Sequence, residues 1–222
     1  KVTSPTTSAL KKVHGSSASN VWLASDEQVF RLSGSTWQPV SDPHAIRRIS
    51  ALWTAGPAAT WVAESGGFDG YPRLWFWNGT SWSDRLDRLV GYPDIWAGDL
   101  RTIWGTDENN VLFGSGGSFL YWNGSTLTKL DGPAAASWYQ CHGTSISNVW
   151  CAGELGAVAH WNGSLWRNIS ANQAINAISG SSSYDVWSVG DRGLILHSNG
   201  TGWTAIYGVT NKRLNAVWAA NS

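Results

Sequence analysis

The stretch SSSYDVWSVGDRGLILHSNGTGW, residues Ser181–Trp203, sets an Asp-Val-Trp triplet, a Gly-containing turn and an Asn-Gly-Thr-Gly-Trp run within one short span. With its flanks it spells four short strands. Ile175–Gly180 places apolar residues at period two, and Asp185–Gly190 alternates again. Asp191–Gly193 is a turn into Leu194–Ser198. Asn199 and Gly200 then make a hairpin turn, because both residue types tolerate positive φ. Trp203–Ile206 closes the unit, and no segment carries a sustained helical period.

The same pattern recurs along the chain. SASNVWLAS (Ser17–Ser25) precedes SGSTW (Ser33–Trp37), PAATWVAE (Pro57–Glu64) precedes WNGTSW (Trp77–Trp82), and ENNVLFG (Glu108–Gly114) precedes WNGSTL (Trp122–Leu127). SISNVWCAG (Ser145–Gly153) precedes WNGSLW (Trp161–Trp166). The central position falls at Trp22, Trp61, Leu112, Trp150 and Trp187, at spacings of 39, 51, 38 and 37 residues. An upstream first-strand motif keeps the register: LKKVHG at Leu10, ISALWT at Ile49, LRTIWG at Leu100, WYQCHG at Trp138, INAISG at Ile175 and LNAVWA at Leu214.

Four antiparallel strands per unit of about 40 residues describe a β-propeller blade. The expected fold is all-β, one propeller domain over residues 1–222, with five blades starting near 10, 49, 100, 138 and 175. Partial strands stand at both ends: Lys1–Leu10 matches the close of a unit, and Leu214–Ala219 repeats a first strand. Either a five-bladed ring carries tails, or the chain is cut from a longer array, and unpaired terminal strands leave room for an oligomer. A blade cannot cover both of its faces alone. Trp22, Trp61, Trp150 and Trp187, with Trp37, Trp82, Trp166 and Trp203, are therefore expected to fill the wedges between blades.

Composition narrows the function. Fifteen Lys and Arg balance fifteen Asp and Glu, which gives no footprint for nucleic acid or an anionic membrane. No apolar run reaches the length of a membrane span, and no signal peptide opens the chain, so a start at Lys1 reads as a mature or excised form. Gly (25) and Trp (17) are in excess, as many turns between packed strands require.

The stretch Ile178–Trp203 resembles the Asp-box (BNR-like) propellers of bacteria, including sialidase-type and photosystem II stability-factor-like repeats. HSNGTGW and HWNGSLW carry Asn where the box has Asp. A Trp-rich five-bladed ring also resembles tachylectin-type lectins in architecture. These resemblances imply a secreted, periplasmic or cell-surface binding propeller. The sialidase-type likeness would imply an arginine triad drawn from different blades, whereas Arg47, Arg48, Arg73, Arg85, Arg88 and Arg101 cluster in and around the second unit.

Cys141 and Cys151, the only cysteines, lie on consecutive strands of one blade and face each other if the register is regular. They are either a disulfide or two small buried thiols. No nucleophile-elbow, zinc-protease or phosphate-loop motif is present, the histidines lack ligand spacing, and no catalytic residue, metal or cofactor is expected.

Candidate ligand-binding residues come from irregularities. The second unit is longer by two insertions, Gly66–Arg73 and Ser83–Asp99. They bring Tyr71, Arg73, Tyr92 and Trp96 to a loop lip above Trp75. A second candidate is the first-strand position occupied by Trp53, Trp104 and Trp218, and by His14, His142 and Ser179 in other units. The main expectation is a carbohydrate-binding module that stacks aromatic faces on sugars. A protein-interaction scaffold of a larger surface protein is the alternative, and a sialidase-like hydrolase is the remote one.

Overall fold

A computed structural model describes residues 3–41, 46–66, 72–85, 100–132, 137–170 and 173–220. Every unit forms a four-stranded antiparallel sheet whose strands follow chain order. The first sheet holds β1 (Lys12–Ser17), β2 (Asn20–Ala24), β3 (Val29–Ser33) and β4 (Thr36–Pro39). The second holds β5 (Ile49–Gly56), β6 (Ala59–Glu64), β7 (Arg73–Trp77) and β8 (Trp82–Asp84). The third holds β9 (Thr102–Asp107), β10 (Asn110–Ser115), β11 (Ser118–Trp122) and β12 (Leu127–Asp131). The fourth holds β13 (Trp138–Ser145), β14 (Asn148–Gly153), β15 (Ala157–Trp161) and β16 (Trp166–Ser170). The fifth holds β17 (Ile175–Ser182), β18 (Asp185–Gly190), β19 (Ile195–Ser198) and β20 (Trp203–Ile206). Five such sheets are the blades of a β-propeller, and no helix among the described residues is long and apolar enough to cross a membrane.

The Asn-Gly hairpins form, but not by both residues taking positive φ as expected. Trp77 pairs with Trp82, Trp122 with Leu127, Trp161 with Trp166 and Ser198 with Trp203, which leaves four-residue loops. Only the glycines take positive φ: Gly79 at 101°, Gly124 at 92°, Gly163 at 93° and Gly200 at 86°. Each Asn instead turns its side chain inward. Asn78 Oδ1 accepts the backbone N–H groups of Thr80 (3.0 Å) and Ser81 (2.9 Å), and Asn123, Asn162 and Asn199 repeat the arrangement. The side-chain amide oxygen replaces a backbone acceptor, so the Asn needs no strained backbone.

First strands pack side by side in chain order: β1 on β5, β5 on β9, β9 on β13 and β13 on β17. Second-strand aromatics reach forward onto the next blade. Trp22 meets Trp77 and Trp82 edge-on, Trp61 meets Phe113 and Trp122, and Trp150 meets Trp203. Trp22 and Trp61 are completely covered as a result. Trp187 is only half-buried, stacked on its own blade's His197. Trp37, Trp166 and Trp203 on the fourth strands are likewise half-buried, whereas the equivalent Trp82 is buried against Trp22.

Neither end forms a β-ladder among the described residues. Leu214–Ala219 nevertheless lies beside β17, where a sixth first strand would. The Leu214 N–H donates to Gly190 O (3.0 Å), Asn176 Nδ2 donates to Leu214 O (3.0 Å), and the Ala219 N–H donates to Ser179 Oγ (3.2 Å). The same contact types join complete blades: Ser50 Oγ donates to Leu100 O, and the Thr54 N–H donates to His14 Nδ1. The segment has a first strand's place and is not paired into a sheet among the described residues.

Candidate functional site

The first strands and the Leu214–Ala219 segment surround a central cavity of about 650 Å³. Its wall includes His14, Trp53, Trp104, His142, Ser179 and Trp218, one residue from each repeat. Most of these side chains also reach the next blade. Trp53 and Trp104 lie over the glycines that follow the equivalent position there: a Cβ on Gly105 would stand 2.9 Å from Trp53 Cη2, and one on Gly143 would stand 2.8 Å from Trp104 Cη2. Trp53 and Trp104 are therefore 5% and 8% exposed, which leaves each an edge on the cavity rather than a free face for stacking. His14 accepts a backbone hydrogen bond at Nδ1 and is held neutral by burial, its pKa lowered to about 4.

A second hollow of about 520 Å³ opens from the cavity at the N-terminal ends of the first strands. Lys12, Arg101, Tyr139, Asn176 and Asn215 line both spaces. Four cations, Lys11, Lys12, Arg101 and Arg213, and one carboxylate, Asp26, line this mouth. Lys11 stands 3.7 Å from Asp26, and Arg213 stands 3.3 Å from Asp191 while donating to Asn176 Oδ1. Burial, then the neighbouring positive charges of Arg101 and Lys11, hold the Lys12 amine below its usual range. Lys12 is thus a cation whose charge is poorly compensated, and an incoming anion would favour its protonated form.

The mouth comes from one repeat position. Lys11, Ser50, Arg101, Tyr139, Asn176 and Asn215 are the second residues of the six first-strand motifs, and all six line it. Every one is polar, and that column is legible in the sequence once the motifs are aligned. It is the signal that attention to aromatic side chains overlooks.

A described residue beside each insertion of the second unit lines this mouth. Ser65 lines the mouth just before the first insertion, and its N–H donates to the carbonyl of Arg48, which sits in the left-handed region at φ 51°. Arg101 lines the mouth just after the second insertion, beside the fully buried Leu100. Tyr71, Tyr92 and Trp96 lie outside the described residues. Arg73 is on β7, paired with Asp84 at 2.9 Å. Trp75 is buried below it, its Nε1 donating to Glu64 Oε2 at 3.0 Å. The structure thus brings Trp53 and Trp104 to the cavity, and places Arg73 and Trp75 in the framework of the second blade.

Cys141 and Cys151 stand directly opposite each other on β13 and β14 with Cα atoms 4.1 Å apart, and their sulfurs are bonded. A Ser-Asp-His group occurs in the fifth blade, in a geometry unlike a nucleophile relay. Ser181 Oγ and His197 Nε2 both bond Asp185, as does Trp187 Nε1, so the hydroxyl is not presented to the imidazole. Among the described residues no group of three or more His, Cys, Asp or Glu side chains is placed to hold a metal.

No protein-family model matches this chain, and no curated protein matches it. Solved structures do. The chain is similar to the WD40 β-propeller domain of Doa1, at 15% identity and a TM-score of 0.72, covering 96% of this chain and 73% of that one. It is similar to the Cps50 (Swd1) β-propeller domain of Myceliophteria thermophila, at 9% identity and a TM-score of 0.69, covering 94% and 76%. It is also similar to YCF48 from Cyanidioschyzon merolae, at 14% identity and a TM-score of 0.66, covering 91% and 73%. At such identities the likeness establishes the propeller fold alone.

Proposed function

We propose that this protein is a non-catalytic interaction propeller that takes an acidic segment of a protein partner at the basic mouth of its central cavity. The observation that carries this reading is the lining of the mouth, where Lys11, Lys12, Arg101 and Arg213 gather, two of them beside Asp26 and Asp191, in a chain whose formal net charge is zero. Charge gathered in a concave, partly dry site attracts carboxylates far more strongly than the same charge spread over a surface. Tyr71, Tyr92 and Trp96 belong to the two insertions beside which Ser65 and Arg101 line the mouth, and we take them as the aromatic candidates for contact with the partner. The reading departs from carbohydrate binding because Trp53, Trp104 and Trp75 are committed to packing. The disulfide favours an oxidising compartment, such as the periplasm or the cell exterior, as the place of action.

A fluorescein-labelled hexaglutamate peptide and its hexaglutamine counterpart test the proposal by polarisation. Hexaglutamate is expected to bind, and hexaglutamine to bind at least tenfold more weakly. Lys12→Glu combined with Arg101→Glu is expected to weaken hexaglutamate binding at least tenfold in a protein of unchanged near-ultraviolet circular dichroism. Trp96→Ala is expected to weaken it several-fold. Equal binding of the two peptides, or no effect of the double charge reversal, rejects the site. Binding of neutral glycans with no response to hexaglutamate returns the module to a lectin role.

A further inference from the structure

On the third strand, the residue paired with the second strand's Trp (Leu112 in the third blade) is a ring in every blade but the first. Phe76 lies 4.6 Å from Trp61, His160 stacks on Trp150 at 3.9 Å, His197 stacks on Trp187 at 4.2 Å, and Tyr121 pairs with Leu112. The polar atoms of these rings have partners on the second strand. Tyr121 Oη donates to Asn110 Oδ1 (2.6 Å), His160 Nε2 meets Asn148 Oδ1 (2.6 Å) and His197 Nε2 meets Asp185 Oδ1 (2.9 Å). The first blade has Arg31 in that place, paired with Trp22 and with its Cζ 5.8 Å from the centroid of that indole. Asn20, the counterpart of Asn110, Asn148 and Asp185, is engaged elsewhere. Its Oδ1 accepts from Trp22 Nε1, and its Nδ2 donates to Ser16 Oγ and Thr54 Oγ1. Among the described residues, no acceptor hydrogen-bonds the Arg31 guanidinium and no carboxylate pairs with it.

Arg31 lines a groove of about 630 Å³ between the first and second blades. Trp22, Arg31 and Gln38 form one row across β2, β3 and β4, and the second blade contributes Trp77 and Thr80 to the groove. Ser33 and Ser41 add hydroxyls to a lining that holds no acidic side chain. Between the second and third blades the corresponding place holds Arg85, 5.1 Å from Phe76 and 5.6 Å from Trp122, so there the chain fills the space itself. We propose that the groove beside Arg31 binds a small hydroxylated anion, a carboxylate or a phosphate ester, with the oxyanion on the guanidinium and the hydroxyl groups on Gln38, Thr80 and the two serines. The planar fork of an arginine matches two oxygens of such a group. Arg31 is half-buried over an indole, where a charge-assisted hydrogen bond is stronger than in open water. The volume suits a small molecule, and half-buried Trp77 offers its carbon skeleton an apolar wall. None of the groove's lining residues lines the basic mouth or the central cavity, so the two sites are separate.

Calorimetric titration of the full chain with gluconate, glucose 6-phosphate and neutral glucose tests the site. At least one of the two anions is expected to bind, at least tenfold more tightly than glucose. Binding of gluconate alone makes the ligand a carboxylate, binding of glucose 6-phosphate alone makes it a phosphate ester, and either result supports the site. Arg31→Gln is expected to weaken that anion at least tenfold. Arg31→Lys, which keeps the charge and loses the fork, is expected to weaken it several-fold. Gln38→Ala, at an exposed position away from the Trp22 packing, gives a second reading and is also expected to weaken it several-fold. Lys12→Glu combined with Arg101→Glu, at the mouth, is expected to leave it within twofold. No binding of either anion, glucose binding equally well, or full affinity in a folded Arg31→Gln protein overturns the proposal. Loss of hexaglutamate binding in Arg31→Gln, with no response to either anion, gives Arg31 to a peptide and overturns it as well.

Discussion

Asp185 gathers Ser181 Oγ, Trp187 Nε1 (2.7 Å) and His197 Nε2 (2.9 Å), and in doing so fixes how the second strand's Trp stands on its blade. The first and fourth blades build the same knot with an amide. Asn20 Nδ2 donates to Ser16 Oγ while Oδ1 accepts from Trp22, and Asn148 Nδ2 donates to Thr144 Oγ1 while Oδ1 meets His160. Asp185→Asn is therefore expected to change urea stability by less than about 0.5 kcal/mol, while Asp185→Ala, which orphans three partners, costs about 1–3 kcal/mol. The bonds from Ser181 and Trp187 hold the Asp185 carboxyl below the usual carboxylate range. Its stabilising share is thus present above the unfolded pKa and lost only as pH falls through the lower folded value. His14 works in the opposite charge sense. Its folded pKa is lowered to about 4, so between that value and the unfolded value near 6.5 the unfolded chain binds the extra proton. Stability is full above about pH 6.5 and falls toward pH 4, by at most about 3 kcal/mol for this residue. His14→Asn, whose Oδ1 keeps an acceptor for the Thr54 N–H, should flatten that fall between denaturant melts at pH 7 and pH 4.5.

At the level of strands, the decisive device is a ring or hydroxyl on one first strand set against the residue that follows the same position on the next. His14 bonds Thr54, Trp53 lies over Gly105, Trp104 over Gly143, His142 over Gly180, and Ser179 bonds Ala219. Glycine stands wherever the partner is a ring in face contact, because a methyl group would occupy the ring's space. A Cβ on Gly143 would meet Asn148 O at 2.5 Å and Trp104 Cη2 at 2.8 Å, with backbone on one side and a packed indole on the other. Gly143→Ala is accordingly expected to cost about 1–3 kcal/mol in a denaturant titration. Gly116→Ala, where a Cβ meets nothing within 4 Å, should stay within about 0.5 kcal/mol. Equal effects at the two sites would show that the close packing of first strands does not set this stability.

Among the described residues, six first-strand places and five sheets surround a central cavity with a basic mouth at one end. The balanced formal charge conceals this polarity, because one repeat position and its neighbours bring Lys11, Lys12, Arg101 and Arg213 to the mouth. If the mouth binds carboxylates, hexaglutamate affinity should fall steeply with added salt, over the range in which the Debye length shrinks below about 10 Å. It should also weaken as pH rises through the lowered pKa of Lys12, because the neutral amine no longer attracts the anion. A salt-independent affinity measured by polarisation would contradict an electrostatic mouth.

The repeat, the strand order and the blade boundaries are carried by period-two alternation, by Asn-Gly turns and by the spacing of Trp22, Trp61, Leu112, Trp150 and Trp187. All of these are local, so the sequence by itself determined them. The pairing of Cys141 with Cys151 was open between a bond and two thiols, and the register of β13 on β14 decided it. Which face of each strand is covered depends on a neighbour some 40 residues away. Only the tertiary structure could show that Trp53 and Trp104 are wedged over glycines while Trp218, in the same motif, is bare. The same is true of the mouth: a polar residue at the second place of each motif is ordinary in one strand, and joins a shared polar lining only when five first strands and the Leu214–Ala219 segment converge on one cavity.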